Sequence, residues 1–160
     1  MKPDDLRIVA SLLRAERIAA LATLRDGWPF ASMVAFAPEA DFSGFLMHLS
    51  SLSPHTRHLA ADSRASLLIT EHDDGREDPQ TLARITLIGQ VAQLARDAAE
   101  YRVACDLYGA RLPASAMLFD FADFSMFRLV PSEARFVGGF ARAYTLNTAQ
   151  LKDCAALAAQ

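Results

Sequence analysis

The chain has 160 residues and a formal net charge of −3, with 52% hydrophobic and 22% charged residues. That is the length of one domain with an ordinary globular balance, able to bury roughly 70% of the surface its unfolded form exposes without disulfides or a metal. The slight acidity excludes a general positive field for nucleic acid, and Arg7, Arg14, Glu16 and Arg17 interrupt the N-terminal apolar stretch too often for a signal peptide or a membrane span.

The first element is an amphipathic helix from Pro3 to about Arg14, with Leu6, Val9, Ala10 and Leu13 at three- and four-residue steps and Asp4 and Asp5 in its first turn. Ile18 to Leu24 is a continuous apolar run, and Arg25-Asp26-Gly27 turns it. Asp-Gly is a strong hairpin signal. The returning strand, Phe30 to Phe36, alternates, with Phe30, Ser32, Val34 and Phe36 on one face and Ala31, Met33 and Ala35 on the other. Trp28, beside the turn, reads as a packing or oligomer contact.

A second turn spans Pro38 to Gly44, and Phe45 to Leu49 is a short strand. Ser53 is a good helix cap and Pro54 is well placed at the first helical position, so a helix is expected from there to about Ala61. Its first turn carries the wrong charge. A helix N-terminus is partly positive and favours Asp or Glu, yet this one holds His55, Arg57 and His58, with no acid before Asp62. Either these cations sit in water or pair with Asp62 and the acidic loop downstream, or an outside anion, most simply a phosphate, completes the turn. Arg57 would fork onto phosphate oxygens, Thr56 would donate a hydroxyl, and Ser50 and Ser51 add hydroxyls from the preceding loop. His55 and His58 share a helix face, but two imidazoles without a third ligand do not make a metal site.

Ala65 to Thr70 is the next strand. Residues 71–80 hold five acids, one Arg, a Gly and a Pro, which is the composition of a solvated loop. Leu82 to Leu94 has a strand pattern with Gly89 inside it, a signal for a bulge or bend. A helix is expected from Asp97 to about Tyr108, ended by Gly109, and a short one over Pro113 to Phe119. Asp123 to Leu129 is a strand that Pro131 breaks and Ala134 to Val137 resumes. Gly138-Gly139-Phe140 lacks the spacing and the Lys of a phosphate loop and reads as a bend. Asn147 to Ala159 is a terminal helix. Cys105 and Cys154 are far apart and read as free, buried thiols of a protein in the reducing cytoplasm. The clustering of roughly six or seven strands with few helices predicts a single domain: a small barrel, mainly β, with helices packed outside.

The run Asp26-Gly27-Trp28-Pro29-Phe30-Ala31-Ser32-Met33-Val34, followed by His48-Leu49-Ser50-Ser51-Leu52-Ser53-Pro54-His55-Thr56-Arg57-His58-Leu59, resembles the pyridoxamine 5′-phosphate oxidase-like FMN-binding split barrels, and within them the haem-utilisation branch. Asp62 to Leu68, Ala83 to Gly89, Asp123 to Leu129 and Val137 to Ala143 extend the likeness in the same order. The resemblance implies a six-stranded split β-barrel with flanking helices, forming a homodimer with FMN at the interface. It implies a phosphate held at Thr56, Arg57 and His58 with His55, polar contacts from Ser50 and Ser51, and a flavin ring along the backbone of Ser32, Met33 and Val34. A flavin-dependent oxidoreductase acting on a small molecule follows, with no nucleic-acid or membrane partner. A haem-binding or haem-utilisation protein on the same barrel is the alternative, and related barrels also take the deazaflavin F420. The chain departs from the oxidase proper in having Ser32 where that enzyme has a basic residue, and in having no His after His72 for a substrate clamp. The resemblance therefore does not extend to pyridoxamine phosphate oxidation, and no acid or base is assigned.

Overall fold

A computed structural model describes residues 1–139 and 142–157. Helix α1 (Pro3–Ala15) buries Val9, Ala10, Leu12 and Leu13, with Leu6 packed at the margin of the same core. Its Asp5 is also buried and accepts hydrogen bonds from the Arg142 guanidinium, Nε at 2.9 Å, which tie the first turn of the chain to its far end.

Strands β1 (Ile18–Arg25) and β2 (Trp28–Ala35) pair in unbroken antiparallel register from Ile18↔Ala35 to Arg25↔Trp28. Asp26 and Gly27 both have positive φ, 51° and 79°, as a two-residue hairpin turn matched to strand twist requires. Residues Ala37–Pro38 form a two-residue β3 against β4 (Phe45–Ser50). Then follow helix α2 (Pro54–Ala61) and strands β5 (Arg64–Thr70) and β6 (Arg84–Gln93). Helix α3 (Ala99–Arg111) leads through a 3₁₀ segment, Pro113–Asp120, into β7 (Phe124–Val137), β8 (Ala143–Asn147) and helix α4 (Thr148–Leu157).

The sheet order is β2-β1-β5-β6-β7-β4-β3, with β8 added to β7, every pair antiparallel. This curled sheet with flanking helices is a split barrel. Its interior holds Leu21, Val34, Phe36, Phe45, Met47 and Leu67, among others, and α1 and α4 pack at one end. A second, smaller cluster lies on the outer face of β4 and β7, where α3 covers Ala37, Leu46 and Met126 with Leu94, Ala104 and Tyr108. Strand β4 is thus buried on both faces, which explains the unbroken burial of Phe45 to Leu49.

Several expectations need correction. Pro131 does not break its strand: β7 runs through it in fourteen residues. The pairing with β6 shifts between Ile88 and Gly89, from Ile88↔Glu133 to Gly89↔Pro131, so Ser132 is an extra residue and Pro131, with no N–H to offer, sits at the resulting bulge. Gly89 is required opposite it, because a Cβ there would lie 2.0 Å from the Val130 carbonyl oxygen. Gly109 does not end α3, which continues to Arg111; Pro113 stops it, as a proline restricts the residue before it. The short second helix is of 3₁₀ type. Strand β8 was not anticipated. Cys154 is buried, but Cys105 is only half-buried. The bend at Gly138-Gly139 is present, Gly138 N donating to Arg142 O with Gly139 at φ 104°, while Phe140 and the end of the terminal helix after Leu157 lie outside the described residues. Among the described residues no helix is long and apolar enough to cross a membrane.

Candidate functional site

Helix α2 lies against the β1–β2 hairpin, and two histidines make the join. Thr23 and Phe30 face each other across the hairpin, and Ser32 sits opposite Leu21, so all three share one face. The His58 ring meets Thr23 Oγ1 through Nδ1 at 3.0 Å and takes the edge of Phe30 with ring centroids 5.0 Å apart. One turn earlier, His55 Nδ1 lies 3.0 Å from Ser32 Oγ. Both rings are held through Nδ1, and among the described residues neither Nε2 has a hydrogen-bond partner. Burial, and then the neighbouring His58, hold His55 below its ordinary value, favouring the neutral ring.

The loop into α2 is latched from the other side. Ser50 Oγ donates to Asp123 Oδ2 at 2.6 Å, and Ser51 N donates to Asp123 O at 2.8 Å. Leu52 N reaches back to Ser50 Oγ, and Thr56 Oγ1 donates to the Ser50 carbonyl at 2.7 Å. The hydroxyls of Ser50 and Thr56 therefore hold the loop in shape by donating within the chain. Arg57 is exposed; one of its nitrogens donates to Leu52 O at 3.1 Å, and it makes no ion pair among the described residues. Ser53 caps the helix in extended conformation without using its hydroxyl, and the first turn contains no acid.

The pairing of these cations with nearby acids is not what forms. Asp62 binds Arg64 instead, with Nη2 to Oδ2 at 2.6 Å, and this holds its carboxyl at about 2. In the acidic loop, Arg76 takes Asp74 and Glu71, and Glu71 also accepts from Ala83 N. Among the described residues no group of three His, Cys, Asp or Glu could hold a metal ion.

Ser32, Met33 and Val34 divide as the alternation predicts: Val34 enters the core, Ser32 faces α2, and Met33 projects outward. Strand β2 ends the sheet, so one side of its backbone has no strand partner. On the outer face, Ile18, Ala20, Met33 and Leu68 floor an open cavity of about 810 Å³ walled by residues of the acidic loop. Trp28 stands 77% exposed at the hairpin end. The sequence reading missed Thr23, Phe30 and Asp123. Thr23 is a lone hydroxyl in an apolar strand, which is a detectable signal; Asp123 is recognisable only once β7 is laid beside β4.

The family model for pyridoxamine 5′-phosphate oxidase matches residues 8–138. A chloroplastic non-canonical heme oxygenase, HOZ, from Arabidopsis thaliana is 36% identical over 142 residues, covering 88% of this chain and 41% of that protein. The chain thus spans about two fifths of the length of that relative. A heme binding protein from Mycobacterium smegmatis superposes with a TM-score of 0.84 at 26% identity, over 96% of this chain and 62% of the other. The heme storage protein HutZ of Vibrio cholerae shares the fold, with a TM-score of 0.69 at 24% identity, over 79% of this chain and 89% of the other. Matched in sequence over most of its length and in the whole curl of its sheet, the chain belongs to the pyridoxamine 5′-phosphate oxidase family of split barrels.

Proposed function

We propose that the protein binds FMN with its phosphate at the first turn of α2 and serves as a flavin-dependent oxidoreductase for a small molecule. The observation that carries this reading is a helix start without an acid, in which Arg57 has no ion-pair partner among the described residues and the Ser53 hydroxyl is unused. An anion there would meet Arg57, Ser51, Ser53 and the Nε2 atoms of His55 and His58, a donor set suited to a phosphate monoester. The turn is fastened to β2, so a phosphate on α2 and a flat ring along Ser32–Val34 would be held by one rigid unit. Bound FMN would supply the electron transfer, and the chain's residues would bind and orient it.

We further propose a homodimer with the cofactor at its interface. Ile18, Ala20, Ala31, Met33, Leu68 and Ile88 fall on one outer sheet face by register, with Ile18 56% and Met33 69% exposed. Such an apolar strip on a monomer marks an interaction surface. The free thiols Cys105 and Cys154 suit a reducing compartment such as the cytoplasm.

A haem-binding role on the same barrel is the second reading, favoured by the relatives named for heme. An absorbance spectrum of the purified protein, with the released cofactor identified by mass, separates them. A flavin spectrum and the mass of FMN support the first reading; a Soret band supports the second; the mass of F420 overturns both.

A further inference from the structure

His48 lies outside the proposed site and is the most buried of the four histidines, at 7% exposure. It projects from β4 beside Leu46, away from the barrel interior and under α3. Three aromatic rings box it: Phe119 at 4.5 Å between centroids, Phe124 at 5.2 Å and Tyr108 at 6.0 Å. Its Nδ1 is buried without a hydrogen-bond partner among the described residues. A leucine would fill the same box and leave no orphaned nitrogen. Histidine adds one property that packing does not use, a proton site near neutral pH.

The surroundings tolerate only the neutral ring. Tyr108 from α3 meets the ring edge-on, and Arg96 from the β6–α3 connection is a cation whose guanidinium donates to Phe124 O. Burial raises the pKa of Tyr101 and of Cys105 on α3, favouring their neutral forms. On β7 and its approach, Asp123 accepts from Ser50, and Arg128 holds Glu39 and Glu100. No carboxylate among the described residues pairs with His48, so an imidazolium there would be a buried charge without a counterion. Burial, then Arg96, hold its proton affinity below the ordinary value of 6.5.

The box is continuous with the loop that starts α2. His48 and Ser50 are alternate residues of β4, facing Met126 and Phe124 on β7. Phe124 touches the His48 ring, its neighbour Asp123 binds Ser50 Oγ, and the Ser50 carbonyl binds Thr56. We propose that His48 is a proton-operated latch, whose protonation in mild acid unseats α3 from β4 and, through Phe124 and the Ser50–Asp123 bond, loosens the turn that begins α2. Release of FMN in acid would follow, a consequence that rests on the reading above.

Hydrogen exchange of the ligand-free full chain between pH 7.5 and 5, corrected for the intrinsic pH dependence of amide exchange, tests the latch. The opening constant of α3 amides, and of Ser51 and Leu52, should rise about tenfold per pH unit below the ordinary histidine value. His48→Leu should abolish that rise and leave the β1–β2 hairpin unchanged. His55 is a second ring whose proton affinity the fold lowers, so the readout is the difference between wild type and His48→Leu. A flat wild-type profile, an unchanged slope in His48→Leu, or a slope in α3 without one at Ser51 and Leu52 would overturn the proposal. If His48→Leu does not fold, an NMR titration of the wild-type ring decides: a midpoint below 6.5 that coincides with α3 opening supports the latch, and an ordinary midpoint overturns it. Failure of FMN to bind at pH 7.5 sinks the FMN reading while the exchange result still decides the latch. FMN that binds at pH 7.5 and is released in acid equally fast from wild type and His48→Leu overturns the latch.

Discussion

Thr23 Oγ1 lies 3.0 Å from Nδ1 of His58, joining a fully buried strand hydroxyl to the helix that carries the proposed phosphate turn. Thr23→Val keeps the shape and removes the bond, leaving a half-buried ring nitrogen unpaired. A loss of about 1 kcal/mol is expected, at the low end for an orphaned polar group because His58 retains some contact with water. Thermal melting should fall by about 2–4 °C, and Thr23→Ser should restore it. Equal melting of Thr23→Val and wild type would show that the bond contributes nothing.

Arg57 offers the opposite behaviour. It is exposed and bonds only one backbone carbonyl, so Arg57→Ala should leave stability without ligand within about 0.5 kcal/mol of wild type. If its guanidinium takes the phosphate, saturating FMN should raise the wild-type melting temperature by mass action, and Arg57→Ala should reduce that rise. The same FMN-dependent shift in both proteins would remove Arg57 from the site.

These two residues also mark where sequence reading works. The hairpin and α2 were legible because their signals are local: Asp26-Gly27 demands positive φ, and Ser53-Pro54 starts a helix whatever surrounds it. The faces of β2 followed from alternation. The inward turn of the Thr56 hydroxyl and the anchoring of both histidines were not legible, since their partners Ser50, Ser32 and Thr23 are fixed by tertiary packing. Pro131 misled for the same reason. A proline breaks a strand unless a bulge receives it, and that bulge depends on Gly89, some forty residues earlier.

Gly89 should therefore tolerate no side chain. Its backbone lies against Val130, and the obstructing atom is a carbonyl oxygen of a paired strand, which cannot swing aside. Gly89→Ala should lower the urea midpoint by an amount equivalent to about 3 kcal/mol, the upper end for overpacking. Gly75→Ala is a useful contrast: open space surrounds that position, and its cost arises from φ 78° alone.

Asp5 sets an acid limit on stability. Its hydrogen bonds from Arg142, with smaller help from Tyr144 and the Lys2 backbone, hold its carboxyl below the ordinary 3.8 although burial opposes them. With the folded value depressed, the unfolded chain binds the proton first. The contribution is complete above 3.8 and is lost as pH falls through the folded value. Arg142→Met should lower stability near neutral pH, by less than breaking a fully buried pair because Arg142 is partly exposed. The acid-induced loss should also shrink, because Arg142 is the largest of the groups that hold the carboxyl down, while Tyr144 and the Lys2 backbone remain. Urea midpoints measured from pH 7 to pH 3 show it, and parallel decline of the two proteins would exclude the pair as the source.

The outer sheet face supplies the last test. Met33 projects from the edge strand beside Ile18 and Leu68, with little to hold it in one protomer. Met33→Lys places a charge in the middle of that apolar strip and removes no core contact. If two copies meet there, the variant should elute as a monomer in size exclusion with light scattering, while its far-UV spectrum and chain fold stay unchanged. Burying an unpaired ammonium in the contact costs several kcal/mol, enough to shift a micromolar dimer fully to monomers at ordinary concentrations. A dimer of unchanged affinity would move the interface to another surface, and with it any cofactor shared between the copies.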